Sequence, residues 1–121
     1  MINTQDPRHQ RRIALMQQLF AVTFDPATTH TQSFEEPHAD LEEIQHHLPE
    51  IDTQIHAFAP ERAVSEIKKV DLAILRVIMF EWKTSETPKK VLIDEGIELA
   101  KEFGTESSPR FINGVLAQLL K

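Results

Sequence analysis

Residues 71–83 read DLAILRVIMFEWK. Leu72, Ile74, Leu75, Val77, Ile78, Met79, Phe80 and Trp82 leave almost no polar face on a helix of that length. A helix that is apolar nearly all round sits at the centre of a bundle. Asp71 belongs at its start, as an N-cap or first-turn acid, where a carboxylate meets unpaired backbone N–H groups.

Downstream, Thr87-Pro88 predicts the start of another helix, with threonine as cap and proline in a position that has no N–H to lose. The pattern runs to Phe103, with Asp94, Glu95, Glu98 and Glu102 on its wetter sides, and Gly104 follows as an expected left-handed C′ residue. Ser108-Pro109 repeats the device before a last helix carrying Phe111, Ile112, Val115, Leu116, Leu119 and Leu120. Upstream, Leu15, Met16, Leu19, Phe20 and Val22 keep helical spacing from Arg11 until Pro26 stops the pattern. Residues 25–37 read as a loop. Pro26, Pro37, Pro49 and Pro60 divide the middle into short helices: 38–48 with Leu41, Ile44 and Leu48, then 50–58 with Ile51, Ile55 and Phe58. Residues 61–69 place Ala63, Val64 and Ile67 on one side of a further short helix. No strand-length alternation occurs, so the expected fold is all-α, one compact bundle of two packed sub-bundles spanning 1–121.

The chain has 121 residues, 40% of them hydrophobic, with three glycines and no cysteine. Disulfides, zinc thiolate sites and thiol catalysis are therefore excluded, and a glycine-rich phosphate loop is not expected. Apolar runs are too short to span a bilayer. No signal peptide is read at the start, and the expected compartment is the cytoplasm. The net charge of −6 hides three zones: +2 over residues 1–12, −9 over 13–61, where no Lys or Arg occurs, and +1 over 62–121. So acidic a chain binds nucleic acid only through a local basic patch.

Catalytic chemistry finds no support. Glu43 and His46 form a single Glu-x-x-His, whereas a di-metal bundle needs two plus two more carboxylates, so neither a metal nor another cofactor is expected. The histidines, His9 among them, read as surface polar residues. No serine carries an elbow or other nucleophile signature. Arg76, inside the apolar helix, requires a carboxylate partner, because an unpaired buried charge is very costly; Glu81 is poorly placed, which points to another helix. Binding chemistry is better represented. Arg8, Arg11 and Arg12 offer planar guanidinium forks suited to phosphate. Ser107 and Arg110 stand at the start of the last helix, whose unpaired N–H groups favour anions. Phe111 beside them stacks a base if exposed and anchors the core if buried.

The strings VDLAILRVIMFEW and PKKVLIDEGIELAKEFGTESSPRFINGVL, with RRIALMQQLF at the start, resemble the NusB family of transcription antitermination factors. The resemblance is strong over residues 70–117, weaker over 8–20 and poor over 25–60. It implies an all-α domain of two helical bundles that binds boxA-type single-stranded RNA of ribosomal RNA leaders. Binding is together with NusE, a small-subunit ribosomal protein, within RNA polymerase complexes. It implies RNA contacts at Arg8, Arg11, Arg12, Ser107, Arg110 and Phe111, and NusE contacts at Phe20 and Asp71. Asn113 and Gly114 match the family string and are expected to be structural, the glycine for close helix approach. This chain departs in the interruption of the arginine run by His9 and Gln10, in Phe20 for a tyrosine, and in Ser107 for an acid. The thinned arginine run and the acidic middle favour the alternative, a shortened interaction module that has lost RNA binding; a third reading is a self-associating domain with Phe20 and Phe24 in a homodimer face. The RNA reading requires the amino ends of the first and last helices to converge on one surface.

Overall fold

The computed structural model describes residues 5–24, 39–58 and 63–121. Within them lie α1 (Pro7–Phe24), α2 (Ala39–Phe58), a 3-10 turn (Val64–Glu66), α3 (Lys69–Thr84), α4 (Lys89–Phe103) and α5 (Ser108–Leu119). No strand occurs among the described residues. The loop expected over 25–37 lies outside them.

α3 is the central helix. It packs against each of the other four, and Ile74, Leu75 and Ile78 have no exposed surface. Its all-round apolarity is the cause: each buried large aliphatic side chain is worth about 1.5–3 kcal/mol, so every flank attracts a neighbour. α1 and α2 cover one side, and α4 with α5 the other. Ile67, just before α3, joins the same core.

The middle of the chain differs from expectation. The two short helices on either side of Pro49 are one helix, with the proline inside it. Leu41, Ile44, Ile51 and Ile55 form one continuous stripe, each at most 1% exposed. Burying four such side chains outweighs the roughly 3 kcal/mol an interior proline costs. Phe58 falls off the stripe and is exposed. The helix expected over 61–69 reduces to the 3-10 turn, with 61–62 outside the described residues.

The glycines also change roles. Gly104 ends α4 in extended backbone (φ −89°, ψ −167°), not in the left-handed region. It is required for space, because a Cβ there would sit 2.5 Å from the Ser108 side chain. Gly96 is the close-approach glycine: a Cβ would lie 2.6 Å from Leu116 Cδ1. Gly114, expected in that role, is exposed on α5 with nothing within 4 Å of its Cβ position. Asn113 is exposed as well.

Candidate nucleic-acid interface

The first turn of α1 is built by Asp6. Its Oδ1 accepts the Arg8 backbone N–H at 2.8 Å, an N-cap bond that satisfies one of the helix's unpaired donors. The Arg8 guanidinium folds back onto the same carboxylate, with Nη2 donating to Oδ2 at 2.8 Å. These bonds hold the Asp6 carboxyl down at about 2. Arg8 remains exposed, as does Arg11, which reaches Asp40 of α2 at 3.1 Å.

Arg12 behaves differently. It is 8% exposed, and its Nε and Nη2 donate to the two Glu81 carboxylate oxygens, each at 2.7 Å. A third nitrogen lies 3.3 Å from Glu95 Oε1. Hydrogen bonding to Glu81 raises the Arg12 pKa. Burial pushes Glu81 up, but the bonds from Arg12 and Thr87 outweigh it and the carboxyl ends below its usual range. Thr87 thus donates its hydroxyl to Glu81 at 2.8 Å instead of capping α4. Of the three arginines, two lie on the rim and one is an internal strut between α1 and α3.

His9 is not on the surface. It has no exposed area, with Nδ1 2.6 Å from Glu95 Oε2 and Nε2 3.0 Å from Glu102 Oε1. Burial lowers its pKa, yet hydrogen bonds to the two carboxylates win and the net effect is a rise. Glu95, expected on a wetter side of α4, is 6% exposed and takes charge from both His9 and Arg12. A groove of about 590 Å3 opens here, lined by Arg8, Arg11 and Arg12, by the carboxylates of Asp6, Asp40, Glu43, Glu81 and Glu95, and by Leu15, Val77 and Phe80 among its apolar residues.

The second cluster forms where α4 turns into α5. Ser108 is fully buried; its Oγ accepts the Thr105 N–H at 2.9 Å, which locks the turn. Ser107 is exposed and receives a 2.9 Å bond from Lys68, whose Nζ also donates to Thr105 Oγ1 at 2.7 Å. Arg110 is exposed and shares a shallow depression with Thr105, Glu106 and Ser107. Phe111 is half-buried against the core, between the two expected outcomes. The sequence reading missed Lys68 because it precedes a different helix, 39 positions from Ser107.

α4 runs between the two clusters: His9 of α1 bonds its Glu95 and Glu102, and the turn to Ser107 follows its end. Glu102, the partner of His9, lies two residues before Gly104, where α4 ends and the turn to Ser107 begins. The rim arginines and the Ser107–Arg110 turn line separate depressions, so no single groove joins the two ends. Of the residues expected to meet a protein partner, Phe20 is half-buried against the core. Asp71 is 3% exposed in the first turn of α3, with Oδ1 lacking a hydrogen-bond partner among the described residues. Arg76 finds its partner on another helix, as expected: Nε and Nη2 donate to Asp52 of α2 at 2.9 and 2.7 Å. Among the described residues no helix is long and apolar enough to cross a membrane.

Fold and site define a class: a domain whose described residues form helices and no strand, with exposed, carboxylate-paired arginines at the start of α1 above an internal charge network. The model of the NusB family matches residues 9–121. The chain is 46% identical over 77 residues to the transcription antitermination protein NusB of Geobacter sulfurreducens, covering 63% of this chain and 56% of that protein. It is 32% identical over 124 residues to the protein of that name from Campylobacter concisus, covering 93% and 95%. The structure of T. maritima NusB superposes with a TM-score of 0.78 at 27% identity, covering 94% of this chain and 90% of that one. This chain belongs to the NusB family. The aligned stretch spans about half the length of the first of these relatives.

Proposed function

We propose that this chain acts as a transcription antitermination factor: a single-domain, non-enzymatic, cytoplasmic protein that binds boxA-type single-stranded RNA together with NusE and joins RNA polymerase complexes. The observation that carries the reading is the placement of Arg8 and Arg11 on an exposed rim joined by α4 to the turn bearing Ser107 and Arg110. Arg8, Arg11 and Arg110 are free to exchange their present carboxylate or solvent contacts for phosphate oxygens, which position a strand without reading its sequence. Ser107 adds a hydroxyl, and the half-exposed Phe111 ring an aromatic surface for a base. Arg12 acts from inside, setting the direction of α1. Phe20 and the α3 end around Asp71 face NusE.

The test is an electrophoretic shift of boxA RNA with and without NusE, for the parent and for Arg8→Ala with Arg11→Ala. Each lost phosphate contact reduces the salt slope of log K by about 0.7 on single strands. The double variant is therefore expected to bind more weakly with a slope shallower by roughly 1.4. An unchanged slope removes the site. A second reading, a protein-only module, draws on one observation: Arg8, Arg11 and Arg12 each already face a carboxylate. It predicts NusE binding without an RNA shift at any salt concentration.

A further inference from the structure

His9 stands where the arginine run of α1 is interrupted, and it is the one fully buried ionisable side chain of the first helix. Both ring nitrogens face carboxylate oxygens on α4, Nδ1 toward Glu95 and Nε2 toward Glu102. A neutral imidazole donates from one nitrogen only, whereas carboxylates accept. The other Glu95 oxygen meets Arg12, and a guanidinium only donates, so both Glu95 oxygens act as acceptors. The geometry is satisfied by an imidazolium. We propose that His9, doubly protonated between Glu95 and Glu102, is a positioning residue: it fixes the first turns of α1 against the end of α4, and so sets Arg8 and Arg11 relative to the Ser107–Arg110 turn. The RNA consequence rests on the function proposed above; the helix-fixing role does not.

The charged groups around the ring decide how the device responds to pH. Glu95 and Glu102 approach from α4, and Arg12 from its own helix with Glu81 of α3 behind it. Arg8, the residue next to His9 in the chain, pairs with Asp6 toward solvent. When the proton is lost, a tautomer that keeps Nδ1–H retains Glu95, the shorter and more buried contact. The bond to Glu102 is given up, because that carboxylate is 26% exposed and turns to water. Glu95 keeps Arg12 in either state. Deprotonation therefore uncouples the amino end of α1 from the α4–α5 turn without dismantling the core.

The experiment combines three readouts on the full chain. Imidazole NMR follows His9 against pH in the free protein, amide hydrogen exchange follows residues 8–12, and boxA RNA affinity is measured with NusE over the same range. His9 is expected to carry two N–H protons at pH 6.5, and exchange in the first turns is expected to rise as the ring titrates. RNA affinity is expected to fall about fivefold or more across the same midpoint, the lower end of typical coupling. His9→Gln, which keeps one donor and carries no charge, is expected to abolish the pH dependence in all three. Glu102→Gln, near the surface and expected to fold like the parent, moves the His9 midpoint to lower pH and carries the exchange and affinity midpoints with it. A single proton on His9 at pH 6.5, or exchange and affinity profiles that ignore Glu102→Gln, overturns the proposal. A parent that binds no RNA at any pH overturns the functional reading and the RNA coupling, while exchange tracking the His9 titration then supports the helix-fixing role alone.

Discussion

Replacing Arg12 with alanine removes two 2.7 Å bonds to Glu81 and the 3.3 Å approach to Glu95. Glu95, 8% exposed at the side chain, is left with His9 alone, and Glu81, 20% exposed, with Thr87 alone. Truncating one member of a buried pair costs about 3–5 kcal/mol, chiefly because the surviving charge stays desolvated. Glu81 is near enough to water to relax, so the lower end applies, about 3 kcal/mol. Domains are stable by only about 5–15 kcal/mol, so this is a large fraction. At roughly 4 °C per kcal/mol for a chain of this length, Tm drops by roughly 12 °C. Arg8→Ala is the control: the same residue type, one helical turn away, but 78% exposed at the side chain. It loses only a solvent-exposed ion pair, so its midpoint is expected to stay close to the parent's. Urea unfolding followed by circular dichroism measures both. Equal midpoints for the two variants would refute the assignment of Arg12 as an internal strut. Replacing Arg12 and Glu81 together with aliphatic residues should recover much of the loss, since the penalty comes from the orphaned charge.

Gly96→Ala pushes a Cβ to 2.6 Å from Leu116 Cδ1 in a closed core, and overpacking of this kind costs about 1–3 kcal/mol, more than the roughly 1 kcal/mol gained in helix propensity. Gly114→Ala, in open space on α5, is expected to stabilise by about 0.5–1 kcal/mol; thermal melts showing the same sign for both would contradict the packing described. Stability against pH should be highest between about 4.5 and 6.5. The raised pKa of His9 contributes stability that is complete below about 6.5 and lost as pH climbs through its native value, whereas the lowered pKa of Glu81 contributes above 4.5 and is lost on acidification. Denaturant midpoints from pH 3 to 9 measure this, and His9→Gln should flatten the alkaline limb.

The run 71–83 determined the architecture before any coordinate was needed. A helix with no polar face has to be enclosed, and the capped, periodic segments on either side supply the enclosing helices. The demand of Arg76 for a partner on another helix was equally legible, because burial of an unpaired charge is so unfavourable. The strings around DEGIELAKEFG and FINGVL carried the family. Tertiary structure alone decided the rest. Local rules split α2 at Pro49, and only the core face shared by Leu41, Ile44, Ile51 and Ile55 shows why it continues. Arg8, Arg11 and Arg12 are one residue type in five positions, and nothing local distinguishes the rim from the strut. His9 and Glu95 look like surface residues because the groups that neutralise them lie 86 positions apart. Periodicity reports which side of a helix is buried, but the cost of burying a charge depends on partners that only the folded chain brings within 3 Å.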